Sequence, residues 1–403
     1  MDDIHIQPIS GLTAAELDVE IVERKGLGHP DTICDAVMER VSQALSRAYV
    51  ERFGAILHHN CDKGLLVAGQ VERRFGGGRV VVPMHLVIGD RATAAVGKEE
   101  LNVADIAVET AKAWFRENLR RVDPDRHLSY QVELKPGSEE LTSLFLEKKD
   151  MLGANDTSAA VGYAPLSETE QLVLEIEHYL NSPAFKARFP ETGEDVKVMG
   201  VRTGGSLAIT IAMPILDEYV ESESDYFRRK EAVHEALLAH LHGQLKNLQE
   251  VRVNLNTLDR PGTGMAGMYL SVLGTSAEDA DSGEVGRGNQ VNGLIALNRP
   301  RGSEAAAGKN PVSHVGKIYN VLTHLLAARI HKAVPGLREV VVWLCSRIGE
   351  PVDRPQMASV QIHLQPGVTL ANVADPIRQV IKEELERMPL FCQDLAQGRY
   401  PVC

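Results

Sequence analysis

The residues whose types and spacing can do chemistry begin at Gly28-His29-Pro30-Asp31, inside the stretch ERKGLGHPDTICDAVMER from Glu23 to Arg40. A glycine-rich loop runs here into apolar residues at Ile33, Val37, Val41, Ala44, Leu45, Ala48 and Tyr49, which is helical spacing. Proline suits the first position of a helix, where its missing N–H is not needed. A helix start offers free N–H groups and partial positive charge to an anion. Asp31 would repel a phosphate there unless a cation lay between them. The motif therefore reads in two ways. It is one wall of a metal–phosphate site, or it is an ordinary helix start in which Asp31 favours the N-terminal end and His29 is a loop residue.

Two later segments offer cations among glycines. Gly302 to Lys309, GSEAAAGK, resembles a phosphate-binding loop but has five residues between its glycines and Asn310 after the lysine. Lys309 can place a point charge on a polyphosphate leaving group, or it is a solvated loop lysine. Gly286-Arg287-Gly288-Asn289 sets an arginine where the backbone can approach a ligand closely, and arginine can clamp phosphate oxygens with two hydrogen bonds. The other reading is a turn with a solvated arginine. Gly262-Thr263-Gly264-Met265-Ala266-Gly267 matches a dinucleotide fingerprint by letters alone; the next seven residues, MYLSVLG, read as strand instead of helix, so the match is taken as a hairpin loop. Neither GxSxG nor HExxH occurs.

Composition bounds the partners. The 403 residues are 44% apolar and 24% charged, as in ordinary globular proteins, and leave room for several domains or one large interleaved unit. A formal charge of −12 gives no basic footprint for nucleic acid or an anionic membrane, and 5% aromatic residues argue against base-stacking platforms. No apolar run is long enough to span a bilayer, and the acidic beginning MDDIHIQPIS lacks the core of a signal peptide. Five dispersed cysteines without a CxxC fit free thiols in a reducing cytoplasm. His58-His59-Asn60-Cys61 is read as structural, next to a strand.

The elements that must position these residues alternate along the chain. Strands are expected at Ile56–His59, Leu65–Val71, Arg79–Ile88 and Tyr130–Leu134, with a hairpin turn at Gly76-Gly77-Gly78. Further strands are expected at Val196–Val201, Leu207–Met213, Val251–Leu255, Met268–Leu273, Glu339–Cys345 and Ala358–Leu364. Helices are expected over Lys98–Val122, after the capping box Ser167-Glu168-Thr169-Glu170, and over Asp225–Leu248, Val312–Ala333 and Leu370–Arg387. Gly274 to Pro311 is long, polar and glycine-rich, a length that points to function in a compact protein. Two strands followed by a helix recur about three times. This indicates an α+β fold of three similar layers, without independent domains.

Taken together, the segments resemble the archaeal-type S-adenosylmethionine synthetases (methionine adenosyltransferases), nearly end to end. The resemblance rests on VERKGLGHPDTICD (Val22–Asp35), RFGAILHHNCDKGLLVAGQ (Arg52–Gln70), KPGSEEL (Lys135–Leu141), GANDTSAAVGYAPLSETE (Gly153–Glu170), VLGTSAEDADSGEVGRGNQVNGLI (Val272–Ile295), AAAGKNPVSHVGKIYN (Ala305–Asn320) and IGEPVDRP (Ile348–Pro355). It implies an enzyme that joins ATP and L-methionine. The sulfur attacks C5′ of ATP, and the released triphosphate is hydrolysed to phosphate and pyrophosphate. A neutral thioether and a strongly anionic leaving group require alignment and charge stabilisation rather than a covalent enzyme intermediate.

Residue by residue, the resemblance implies that His29 touches the polyphosphate or the C5′ region and that Asp31 holds Mg²⁺. Lys197 meets the phosphate end, and Arg287 and Lys309 clamp the phosphates. Pro136, Gly137, Ser138, Glu139, Glu140, Leu141 and Thr142 form the ATP loop. Asp156 binds the methionine amine, and Gln70 stands where the bacterial branch has a methionine-binding glutamate. A second metal-binding aspartate of that branch has no carboxylate counterpart in Asn310-Pro311-Val312-Ser313-His314-Val315, leaving Asp281 or Asp62 as candidates. K⁺ is possible, with Asp62 near the place of the bacterial K⁺ ligand. The implied fold is a single unit, residues 1–403, of three interleaved sheet-plus-helix subdomains around a pseudo-threefold axis. The implied assembly is a cytoplasmic homodimer with active sites at the subunit interface. Two other readings remain: a triphosphatase or nucleotide hydrolase that ignores methionine, and a non-catalytic nucleotide-binding subunit.

Overall fold

The computed structural model describes residues 4–137, 145 and 151–403. Thirteen strands build three sheets. They are β1 (Ile4–Pro8), β2 (Val19–Lys25), β3 (His59–Val67), β4 (Met84–Ala92), β5 (Leu128–Lys135), β6 (Ala159–Ala164), β7 (Lys197–Thr203), β8 (Ser206–Ala212), β9 (Glu250–Leu255), β10 (Gly283–Glu284), β11 (Ile295–Ala296), β12 (Leu337–Cys345) and β13 (Met357–Leu364). The helices are α1 (Pro30–Phe53), α2 (Val103–Asn118), α3 (Glu168–Leu180), α4 (Pro183–Arg188), α5 (Glu223–Leu241), α6 (Val315–Ala333), α7 (Leu370–Glu386) and α8 (Met388–Ala396). The mixed α+β class expected from the sequence is what the structure has.

The three sheets repeat one pairing pattern. Their orders are β10-β3-β4-β5, β11-β2-β7-β8-β9 and β6-β12-β13-β1. In β10/β3/β4/β5, β2/β7/β8/β9 and β6/β12/β13/β1 alike, the successive pairings are antiparallel, antiparallel, parallel. A long helix, α1, α3 or α6, precedes each central antiparallel pair. The strand that leads into that helix is given to a different sheet: β2 leads into α1 yet pairs with β7, and β6 leads into α3 yet pairs with β12. Residues distant in sequence are thereby brought side by side.

The cores follow from the periodicities. Ile33, Val37, Val41, Leu45 and Tyr49 of α1 are fully buried, each worth roughly 1.5–3 kcal/mol of transfer energy. They pack with α2 and the inner face of β3 and β4. Leu207, Ile209 and Ile211 alternate inward on β8 beneath α3 and α5. A third core lies between α6, α7 and α8 and the inner face of β12 and β13.

Several expected boundaries shift for identifiable reasons. One strand covers His59–Val67 where two were expected, and Pro83 divides Arg79–Val82 from Met84–Ala92, because proline cannot donate to the ladder. Helix α2 starts at Val103 behind its Asn102 cap, while Glu99–Glu100 pairs with Ala95–Val96. Helix α5 ends at Leu241 instead of Leu248. The Met268–Leu273 strand contracts to Leu270–Ser271, preceded by a 3-10 turn at Gly264–Gly267, so GTGMAG is a loop and no Rossmann turn. Helix α6 begins at Val315, because Asn310 Oδ1 first accepts the Val312 N–H at 3.0 Å and His314 then caps the helix.

Candidate active site

Gly28 and Pro30 fix the first wall. A Cβ on Gly28 would lie 2.5 Å from the Asp195 nitrogen, so only glycine lets the loop lie against that backbone. His29 then caps α1, its Nδ1 accepting the Asp31 N–H at 3.2 Å. Burial drives the His29 pKa down to about 4, with Lys25 and Lys197 adding to the effect against Asp31. The ring is neutral at pH 7. With Nδ1 as acceptor, its proton sits on Nε2, which is free to donate.

Asp31 is buried and held at both oxygens. Lys25 Nζ lies 2.8 Å from Oδ2, and the Glu284 N–H donates to Oδ1 at 3.0 Å. Lys25 also donates to the Arg287 carbonyl at 2.7 Å. Lys197, directly opposite Lys25 in the β2/β7 pairing, reaches Glu23 at 3.2 Å. His29, Asp31, Lys197 and the Arg287 turn are therefore gathered around the end of β2. A cavity of about 550 Å³ opens there, lined by Glu23, Lys25, Asp35, Arg287, Asn289 and Glu304 among others.

The second wall is the approach to α6. Lys309 is buried, with Nζ 2.6 Å from Asp62 and 3.3 Å from Glu304. Burial would raise the Asp62 pKa, but Lys309 and Lys63 overcome it and hold the carboxyl near 2. Ser42 of α1 donates to the Lys309 carbonyl at 2.9 Å and lies 2.8 Å from His59 Nε2. His58 and His59 belong to this packing, as expected of the HHNC run. A second cavity, about 460 Å³, contains Asp62, Lys63 and Lys309 and shares Gly286, Ser303, Glu304 and Ala305 with the first. The two walls face one cleft.

The remaining candidates divide. Asp156 is exposed; its neighbour Asn155 accepts the Val315 N–H at 3.2 Å and donates its own N–H to Ser313 at 3.1 Å, which places GANDTS against the start of α6. Gln70 is exposed on a short strand whose preceding Gly69 bonds to Ala277 and Ala68 to Ser282. That is the loop carrying Asp281, which is exposed and contributes to raising the buried Asp195, where burial is the main cause, to about 6. Asp62 pairs with Lys309, so the metal candidates Asp31, Asp62 and Asp281 are not gathered into one cluster, and among the described residues no three acidic, histidine or cysteine side chains form a metal cage. Pro136 and Gly137 come directly after β5, and a Cβ on Gly137 would meet His58 Nδ1 at 2.5 Å. Ser138, Glu139, Glu140, Leu141 and Thr142 lie outside the described residues.

The family description S-adenosylmethionine synthetase (AdoMet synthetase) matches residues 2–399. This chain belongs to that family. A probable S-adenosylmethionine synthase from Aquifex aeolicus is 44% identical over 405 residues, covering 100% of both chains. The S-adenosylmethionine synthase of Aeropyrum pernix is 47% identical over 96% of each chain, and that of Methanothermobacter marburgensis 40% over 99% of each. The structure of an S-adenosylmethionine synthetase from Campylobacter jejuni superposes with a TM-score of 0.61, at 18% identity and 94% coverage of each chain, a likeness of fold.

Four site residues escaped the sequence reading. Lys25 and Asp35 flank GHPD. Asp35 was legible in principle, because i and i+4 share a helix face. Glu304 and His314 flank Lys309, and nothing local in the sequence marks either.

Proposed function

We propose that the cleft between the starts of α1 and α6 is where this S-adenosylmethionine synthetase joins ATP to L-methionine. The observation that carries the reading is that Arg287 and Lys309 line two adjoining cavities that share four residues, while His29 and Lys197 stand behind Lys25 and Glu23, which line the larger one. The methionine sulfur forms a bond to C5′, and the C5′–O bond breaks with its electron pair leaving on the triphosphate. A neutral nucleophile and a polyanionic leaving group make charge stabilisation at the phosphates the main task. Lys309 and Arg287 hold the phosphates, and Lys197 meets their far end. His29 donates from Nε2 at the departing oxygen. Asp156, beside the start of α6, receives the methionine ammonium, with Gln70 contributing from the loop edge. Water then attacks the released triphosphate, which is hydrolysed to phosphate and pyrophosphate in the same cleft.

Mg²⁺ usually keeps several waters and takes one or two protein carboxylates beside substrate phosphates. Asp31 fits that mode once Lys25 gives up its Oδ2: it is buried directly behind Lys25, which lines the larger cavity, and its Oδ1 keeps the Glu284 N–H. It would hold the ion, with Asp281 as a second candidate. The chemistry supplied by an ion there would be positive charge against that developing on the phosphates. K⁺ near Asp62 would compete with two ammonium groups that already engage both of its oxygens.

The repeated pairing pattern supports a pseudo-threefold axis relating the three sheets, and the exchange of leading strands supports one interleaved unit over residues 1–403. Leu65, Val67 and Val201 are exposed at 40, 38 and 37% on outer sheet faces, Leu65 beside Lys309 in the smaller cavity. A homodimer that covered these side chains with a second copy would set the smaller cavity at the subunit interface. A cytoplasmic setting suits the free cysteines, and no helix among the described residues is long and apolar enough to cross a membrane.

The test is incubation of the purified protein with ATP, Mg²⁺ and L-methionine. S-adenosylmethionine, phosphate and pyrophosphate should form together and depend on methionine. ATP hydrolysis indifferent to methionine would sink the reading in favour of a nucleotide hydrolase, and no turnover at all would favour a non-catalytic subunit.

A further inference from the structure

Asp35 is given no role above, yet it lines the larger cavity beneath the Arg287 turn. The turn is Glu284-Val285-Gly286-Arg287, closed by the Arg287 N–H to the Glu284 carbonyl at 3.4 Å. Gly286 holds φ +82° at its third position, where a type II turn requires a positive value. Two carboxylates one helical turn apart on α1 grip this segment through its backbone. Asp31 Oδ1 accepts the Glu284 N–H at 3.0 Å, and Asp35 Oδ1 accepts the Gly286 N–H at 2.9 Å. Asp35 Oδ2 lies against Gly288 so closely that a Cβ there would sit 2.3 Å from it. Lys25 completes the grip on the Arg287 carbonyl, and Asn289 exchanges two hydrogen bonds with the Lys25 backbone at 3.0 and 2.8 Å.

The Arg287 side chain itself is exposed, so its direction depends on where its backbone is held. We infer that Asp35 is a positioning residue, which aims Arg287 into the cleft by fixing the Gly286 and Gly288 backbone from one buried carboxylate. The inference rests on the proposed role of Arg287 as a phosphate clamp. It assigns Asp35 no contact with substrate. A neutral asparagine in its place keeps one acceptor oxygen for Gly286 but presents an NH₂ group, a donor facing the Gly288 backbone. The turn would keep its fold and lose its register.

A double-mutant cycle separates this role from a general structural one. Wild type, Asp35→Asn, Arg287→Ala and the double variant are compared for kcat and for both KM values, with thermal melting to check that each is folded. Asp35→Asn should lower kcat about tenfold and leave the methionine KM within about twofold, as expected when a transition-state interaction is weakened. In the Arg287→Ala background the same change should cost less than about twofold, because nothing remains to be aimed. An equal loss in both backgrounds, or no loss in either, would overturn the inference. If Arg287→Ala alone leaves kcat unchanged, the clamp reading of Arg287 fails instead. Should Asp35→Asn not fold, Gly288→Ala, which pushes a methyl against the same carboxylate, takes its place in the cycle under the same criteria.

Discussion

At the start of α1, His29 caps the helix by accepting the N–H of Asp31 at 3.2 Å; at the start of α6, His314 accepts the N–H of Gly316 at the same distance. Both helices precede the central antiparallel pair of a sheet, and burial makes both rings poor bases, near 4 for His29 and near 3 for His314. The surroundings are opposite in charge. On α1 the second helical residue is a carboxylate, Asp31, paired with a strand lysine, Lys25. On α6 that position is Gly316, and the charge comes from Lys309, paired with a strand carboxylate, Asp62. A Cβ on Gly316 would lie 2.9 Å from Glu304 Oε2, 3.0 Å from Lys309 Cε and 3.1 Å from His314 Cε1. The same backbone device thus sets a carboxylate beside one helix start and an ammonium beside the other. An acid at position 316 would occupy the space that Lys309 needs.

Breaking the anion side should cost most. Lys309→Met keeps the length and removes the charge; turnover should fall about 10²–10³-fold, in the range found for removing one preorganised donor, while the methionine KM moves little. Steady-state kinetics decide this, and an unchanged kcat would remove Lys309 from the mechanism. Asparagine is a good helix cap, so it separates capping from chemistry at the two histidines. His29→Asn should melt within a few degrees of wild type yet lose about 10²-fold in kcat, the scale of one acid–base or donor contact. His314→Asn should keep both properties to within a few-fold. If the two variants behave alike, the contrast between the helix starts is wrong.

A gentler probe is Gly316→Ala. Alanine favours a helix by about 1 kcal/mol over glycine, so stability should hold or rise while the added methyl displaces Lys309 and turnover drops several-fold. The smallest effect concerns acid. His59, fully buried under Lys309, has its pKa pushed down to about 3, chiefly by burial. The unfolded chain takes up that proton first, near pH 6.5, so the contribution of His59 is whole above pH 6.5 and is lost as pH falls toward 3. Urea midpoints at pH 7 and 5 should differ less for His59→Gln than for wild type.

How much of this was legible in the sequence differs between the same two regions. GHPD declared its helix and its proline, and Asp31 stands in the first turn as the pattern placed it; the capping by His29, read only as a loop residue, was not declared. Around Lys309 periodicity starts the helix three residues too early, because Pro311 and the side chain of Asn310 build a turn that periodicity does not reveal. Asp62, a metal candidate on sequence, proved to be the partner of Lys309, since pairing across 247 positions depends on sheet topology. The repeated strand–strand–helix rhythm gave the class of fold. The exchange of leading strands between sheets could not be read, because a strand carries its face in its sequence but not its neighbour.

The central claim is that the two helix starts hold one triphosphate between them. A crystal structure with a non-hydrolysable ATP analogue and Mg²⁺ tests it most directly. The account predicts phosphates in contact with both Lys309 and Arg287, the ion on Asp31, and His29 Nε2 facing the C5′ oxygen. Phosphates confined to one wall, or an ion bound away from Asp31, would contradict it.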